Sequence, residues 1–313
     1  MSTLARKPEQ LLERLEWTVL RRLDGFLQGD YRTLFRGFGL DLADLREYQY
    51  GDDIRHIDWN VTARLATPYV RQFNEDREVT AWFLLDLSPS IDFGSSERKK
   101  RTVLIELVTV LARLLTRHGN RVGAIFYGRK VEQVIPARGG RHHVLRLLSS
   151  LLAQPELSSA PPTNLRDLLE ATMRLVTRRS LVFLVSDFFS APGWERPLAL
   201  IAQRHETLAV RVFDPLEVDL PDLGMLLMRD SETGEQVYVD THDRAFRKRF
   251  FRVSEEHQTR MHEALTDAGV DALELSTRDD LVESLLRFAD MRRERSMIAS
   301  GFTPTNHWGG RAV

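Results

Sequence analysis

Apolar and polar positions change their rhythm at about Val79. Upstream, Leu11, Leu12, Leu15, Val19, Leu20 and Leu23 recur at helical spacing, which predicts an amphipathic helix over residues 9–27 packed against its own domain. Residues 30–77 hold short charged and aromatic stretches, best matched by short strands with tight turns. Within them Ile54, Ile57 and Trp59 need burial that so short a segment cannot supply, so the segment is expected to pack on the main domain.

Downstream, short apolar runs alternate with helical patterns, and that alternation means a parallel sheet wrapped by helices. Strands are predicted near residues 81–85, 122–126, 131–135, 181–185, 208–213 and 272–275. The first helix between them shows Val103, Leu107, Val110, Leu111 and Leu114 on one face, with Ser95 or Ser96 as its cap and Gly119 past its end. Further helices are predicted over 141–152, 165–176, 197–204, 243–268 and 279–291, and a β-hairpin pairs 225–229 with 236–239. The fold class is therefore α/β, a doubly wound and mostly parallel sheet with an N-terminal β-rich extension and an inserted β-hairpin. Three parts follow: 1–78 packed on the main domain, the main domain at 79–291, and a polar, flexible tail at 292–313.

Composition narrows the function classes. At 313 residues and 42% hydrophobic content the chain can bury a large core. Its 44 Lys plus Arg against 45 Asp plus Glu give a net charge of −1, so no overall basic field draws nucleic acid or anionic lipid. Without cysteine there is no disulfide framework, thiol nucleophile or Cys-ligated zinc. The opening residues run into charged helix rather than a signal-like apolar core, and no stretch approaches a membrane span, so a cytoplasmic protein is expected.

Candidate chemistry gathers at strand exits. Asp86-Leu87-Ser88-Pro89-Ser90 follows the first apolar run, at the sheet edge where ligands bind. Alternate residues of an extended loop project to one side, so Asp86, Ser88 and Ser90 can converge. Their hard oxygen atoms favour Mg²⁺, Mn²⁺ or Ca²⁺ over zinc or copper. Asp187 leaves a second buried run in the same way, and Thr163 stands on a loop at a helix start that right-handed crossovers return to this edge. Each residue alone is also explained as a helix cap or turn.

An alternative makes Asp86 the nucleophile of a metal-dependent phosphohydrolase, but Ser88 occupies the place where a second, proton-handling Asp is needed. His142 and His143 fit capping and surface exposure better than a metal pair, and Gly139-Gly140 is a turn without a phosphate-binding Gly-Lys-Ser/Thr element. Asp52, Asp53 and Asp58 lie among Arg46, Arg55 and Arg64, which favours salt-bridged turns over a nuclease-like cluster.

Asp86-x-Ser88-x-Ser90 with Thr163 and Asp187 resembles the metal-ion-dependent adhesion site (MIDAS) of von Willebrand factor A domains. Upstream, Arg46-x-Tyr48-x-x-Gly51-Asp52-Asp53-x-Arg55-x-Ile57-Asp58-Trp59 with Ala63-Arg64 adds a further pattern, and the combination resembles the bacterial family called domain of unknown function 58. Arg179-Ser180-Leu181-Val182, Arg204-His205, Asp214-Pro215 and Leu275-Ser276-Thr277 extend the similarity, which runs over about residues 20–287. The resemblance implies a von Willebrand A-like fold whose Asp86, Ser88, Ser90, Thr163 and Asp187 bind Mg²⁺ and use it to grip an acidic residue of another protein. It also implies a non-enzymatic adaptor or co-chaperone, with a MoxR-type AAA+ ATPase as partner. The chain departs from the family pattern at Ile91, where Met is common, and at Pro161-Pro162, where Gly-Gly commonly precedes the threonine.

Overall fold

A computed structural model of the chain describes residues 7–23, 44–49, 67–72, 79–95, 98–157, 161–229 and 234–299, with residues 52, 54, 57, 59, 62 and 63. Six apolar runs form its main sheet: β3 (Thr80–Asp86), β4 (Arg121–Tyr127), β5 (Val131–Arg138), β6 (Leu181–Ser186), β7 (Glu206–Phe213) and β10 (Asp271–Ser276). Their spatial order is β10-β7-β6-β3-β4-β5, parallel throughout except for β5, which returns antiparallel beside β4. β6 is buried along its whole length, which is why it reads as a continuous apolar run rather than an alternating one.

Helices cover both faces. Alternate residues of β3 serve opposite layers. Ala81, Phe83 and Leu85 join the core with α1 (Pro8–Leu15), α2 (Lys100–Arg117), α3 (Arg141–Leu152) and α8 (Leu281–Ala299). Leu84 joins the core with α4 (Leu165–Leu175), α5 (Glu195–Arg204) and α7 (Arg244–Asp267). Phe83 and Phe183 stack at 5.0 Å across neighbouring strands. Gly123 leaves room for Trp82, because a Cβ there would come within 2.9 Å of the indole ring. The doubly wound, mostly parallel α/β sheet read from the sequence is the one observed.

The smaller elements follow their expected pattern, with corrections at several ends. α1 runs on through a π turn at Glu16–Leu20 and packs on α2 and α3; residues 24–27 of the predicted helix lie outside the described set. β1 (Asp44–Glu47) pairs antiparallel with β2 (Tyr69–Gln72), and β8 (Met225–Arg229) with β9 (Gln236–Asp240) forms the predicted hairpin. Ile57 bridges to Val70, but Ile54 and Trp59 are 65% and 69% exposed, so burial of those two side chains does not tie the segment to the sheet. The start of α2 also differs: Lys99 is its N-cap without a side-chain hydrogen bond, while the Ser95 amide turns to Asp214 instead. Ser96 lies outside the described residues.

At the other end the flexible tail expected from residue 292 begins as helix, since α8 continues to Ala299. No Gly or Pro interrupts 291–299, and Arg292 anchors the turn on Asp271 at 3.0 Å. Residues 300–313 lie outside the described set. His143, expected at the surface, is buried with Nε2 2.8 Å from the Val122 carbonyl oxygen. Among the described residues no helix is long and apolar enough to cross a membrane.

Candidate functional site

β3 and β6 are neighbours whose onward connections diverge, from β3 toward β4 and from β6 toward β7. Such a switch point opens a crevice at the carboxyl edge of a parallel sheet. Asp86 ends β3 and Asp187 follows β6, so both acids stand at this crevice, 0% and 1% exposed.

Local bonds fix the first acid and its loop. Asp86 Oδ1 accepts from the Ser88 amide at 3.0 Å, and Oδ2 accepts from Ser186 Oγ at 2.6 Å. The loop then enters a 3₁₀ turn at Pro89–Asp92, for which Pro89 supplies a preset φ. That turn brings Ser88 Oγ within 3.1 Å of Ser90 Oγ, both buried.

On the second loop Asp187 Oδ1 accepts from the Phe189 amide at 3.1 Å. Phe188 holds a left-handed φ of 62°, costly for a bulky residue, and is fixed by its amide bond to Ser186 Oγ and by packing on Trp194. Thr163 is 1% exposed, and its carbonyl accepts from the Ala191 amide and Ser190 Oγ, which ties its loop to the segment after Asp187. Hydrogen bonding thus joins Asp86 directly to Ser88 and links Ser88 to Ser90, while Ser186 connects Asp86 to the β6 exit; Thr163 joins that side through its backbone.

An ammonium group completes the cluster. Lys100, the first residue of α2, is 0% exposed, and its Nζ lies 2.7 Å from Asp187 Oδ2 and 2.5 Å from Glu217 Oε1. Glu217 belongs to a short helix, α6 (Pro215–Val218), whose capping box pairs Asp214 and Glu217 reciprocally with each other's backbone. The rings of Phe93 and Phe189 lie 5.9 Å and 5.6 Å from Nζ.

The electrostatics follow from this packing. Burial first, and the neighbouring Asp187 charge second, push Asp86 up to about 6 against its bonds from Ser186 and Ser88. Glu217 is raised by burial despite Lys100. Burial depresses Lys100, but Asp187 and Glu217 outweigh it and hold the ammonium above its ordinary range. Asp214 is buried too, yet bonds from Ser95, Leu216 and Thr277 bring it below the usual carboxylate range.

The donor set suits a hard divalent cation. Every candidate donor is oxygen, and the carboxylates of Asp86 and Asp187 repel each other out of water, a condition that positive charge relieves. Among the described residues no three His, Asp or Glu side chains gather as metal ligands, so a cation here depends on the hydroxyls of Ser88, Ser90 and Thr163. A depression lined by Gly119, Arg121, Ala137, Arg138 and Gly139 lies at the opposite edge of the sheet and takes no part.

The family described as "Protein of unknown function DUF58" matches residues 44–260. The chain belongs to this family. The uncharacterized proteins Rv1480 of Mycobacterium tuberculosis and Mb1516 of Mycobacterium bovis are each 36% identical over 286 residues, covering 91% of this chain and 90% of theirs. Among solved structures the chain is similar to BatB of Bacteroides thetaiotaomicron, at 14% identity and a TM-score of 0.44, over 71% of this chain and 99% of that one. It is also similar to the SpRpn10 VWA domain, at 11% identity and a TM-score of 0.39, over 67% and 94%.

Two members of the cluster escaped the sequence reading. Lys100 sits in the run Glu97-Arg98-Lys99-Lys100-Arg101, which looks like a solvated helix start, yet it shares a face with Val103, Leu107 and Leu111. That spacing was the available signal. For Glu217 the signal was its place three residues after Asp214, the spacing of a capping box.

Proposed function

We propose that the strand-exit cluster is a divalent-cation site through which the protein grips an acidic residue of another protein, without catalysing a reaction. The observation that carries this reading is the pair of buried, mutually repelling carboxylates, Asp86 and Asp187, at the switch point beside buried hydroxyls. Asp86, Ser88, Ser90, Thr163 and Asp187 would hold Mg²⁺, Mn²⁺ or Ca²⁺. When bound, the ion supplies positive charge and an oxygen-seeking position for a visiting carboxylate.

The rim suits protein contact. Phe93 and Phe189 follow the two strand exits and are 40% and 36% exposed, so apolar surface flanks the polar crevice. A MoxR-type AAA+ ATPase as partner, and a cytoplasmic place of action, rest on the family resemblance. Isothermal titration of Mg²⁺ and Mn²⁺ tests the site: wild type binds and Asp86→Ala does not, whereas equal binding by both rejects the reading. Affinity purification with Mg²⁺ and again with chelator tests the grip, and an ATPase retained only with Mg²⁺ is the expected result.

A further inference from the structure

Lys100 is poorly placed for any local purpose. A cation at the first position of a helix opposes the positive end of the helix dipole, and a fully buried lysine loses its hydration. Its ammonium is nonetheless held by two acids, one of them the candidate ligand Asp187, at 2.7 Å. The same Asp187 Oδ2 cannot serve an ammonium and a dication equally well, because the two cations repel and compete for its lone pairs.

We propose that Lys100 is a built-in competitor for the divalent cation: its ammonium satisfies Asp187 in the metal-free protein and keeps cation binding weak and reversible. This deepens the function proposed above and rests on it. The lysine keeps the crevice folded when no metal is loaded, since without it Asp187 and Glu217 lose the ammonium that faces them both. In the loaded protein the ammonium keeps Glu217 as its partner and releases part of its hold on Asp187.

Two variants test the competition by titration of Mg²⁺ and Mn²⁺ and by thermal unfolding in chelator or in Mn²⁺. Lys100→Met keeps an unbranched side chain of nearly the same length and removes its charge. Lys100→Met with Glu217→Gln removes one charge of each sign, leaves the net charge of the cluster unchanged, and leaves no carboxylate at position 217 without its ammonium. The double variant carries the test if the single one does not fold without metal. Both are expected to bind cation at least tenfold more tightly than wild type, and the single variant to melt lower in chelator and to recover more in Mn²⁺.

Affinities within twofold of wild type, or weaker, overturn the competition while leaving the metal reading intact. Tightening confined to the single variant also overturns it, because overall charge then explains the effect. No cation binding by any of the three proteins overturns both proposals. Binding by the variants with none by wild type supports the competition and overturns a metal-loaded native protein.

Discussion

Asp86 sets the pH behaviour of the metal-free crevice. Its carboxyl is pushed from 3.8 to about 6 in the folded chain, so the proton is held more tightly folded than unfolded. The group's contribution to stability is therefore fully present below about pH 4 and is lost as pH rises through about 6, a swing of about 3 kcal/mol. Asp86→Asn isolates it, because an amide still accepts from the Ser88 amide and donates to Ser186 Oγ but does not ionise. In urea unfolding with chelator, wild type is expected to lose about 3 kcal/mol relative to this variant between about pH 4 and 7. A difference that does not vary with pH refutes the assignment. Asp86, Ser88, Ser90, Thr163 and Asp187 were legible in the sequence because each stands just after a strand or just before a helix. Lys100 was not, because its burial is decided by Asp187 and Glu217, 87 and 117 residues away.

At the scale of elements, one buried carboxylate ties three loops together. Asp214 caps α6 through the Leu216 amide, accepts from the Ser95 amide ahead of α2, and accepts from Thr277 Oγ1 after β10 at 2.8 Å. This is why α2 needs no serine cap of its own: the loop before it is anchored on a neighbouring strand exit instead. Strand cores and helix faces could be read from local periodicity, whereas that anchoring depends on the order of β7 and β10 in the sheet. Likewise α8 outruns its predicted end because Asp271, at the start of β10, receives Arg292. Thr277→Val keeps the shape and removes the donor, leaving a buried charge one bond short. A loss of about 1–3 kcal/mol in urea unfolding is expected, with Thr277→Ser largely retaining stability. Equal losses in both variants would assign the effect to packing rather than to the hydroxyl.

For the whole molecule, the decisive question is whether the N-terminal helix is an appendage or a part of the main core. Leu12 and Leu23 are fully buried, and Leu11, Leu15, Val19 and Leu20 share one apolar cluster with α2, α3 and the inner face of β3. Arg14 reaches Glu106 at 2.6 Å and Arg113 binds Glu16, so polar contacts flank the same seam. A helix this short has little stability alone, which makes its order a consequence of docking. Leu12→Ala removes side-chain volume from the centre of the seam and is expected to cost roughly 2–5 kcal/mol. Because the cluster continues into the sheet, the cost is expected to appear as a lower midpoint of a single cooperative transition, with all probes coincident. Fluorescence of Trp17, on the helix itself and isolated by replacing the other four tryptophans with Phe, and far-ultraviolet circular dichroism, dominated by the other helices, provide that comparison. If Trp17 alone reports an early transition while the dichroism midpoint stays at the wild-type value, the helix is an appendage and the main sheet folds without it.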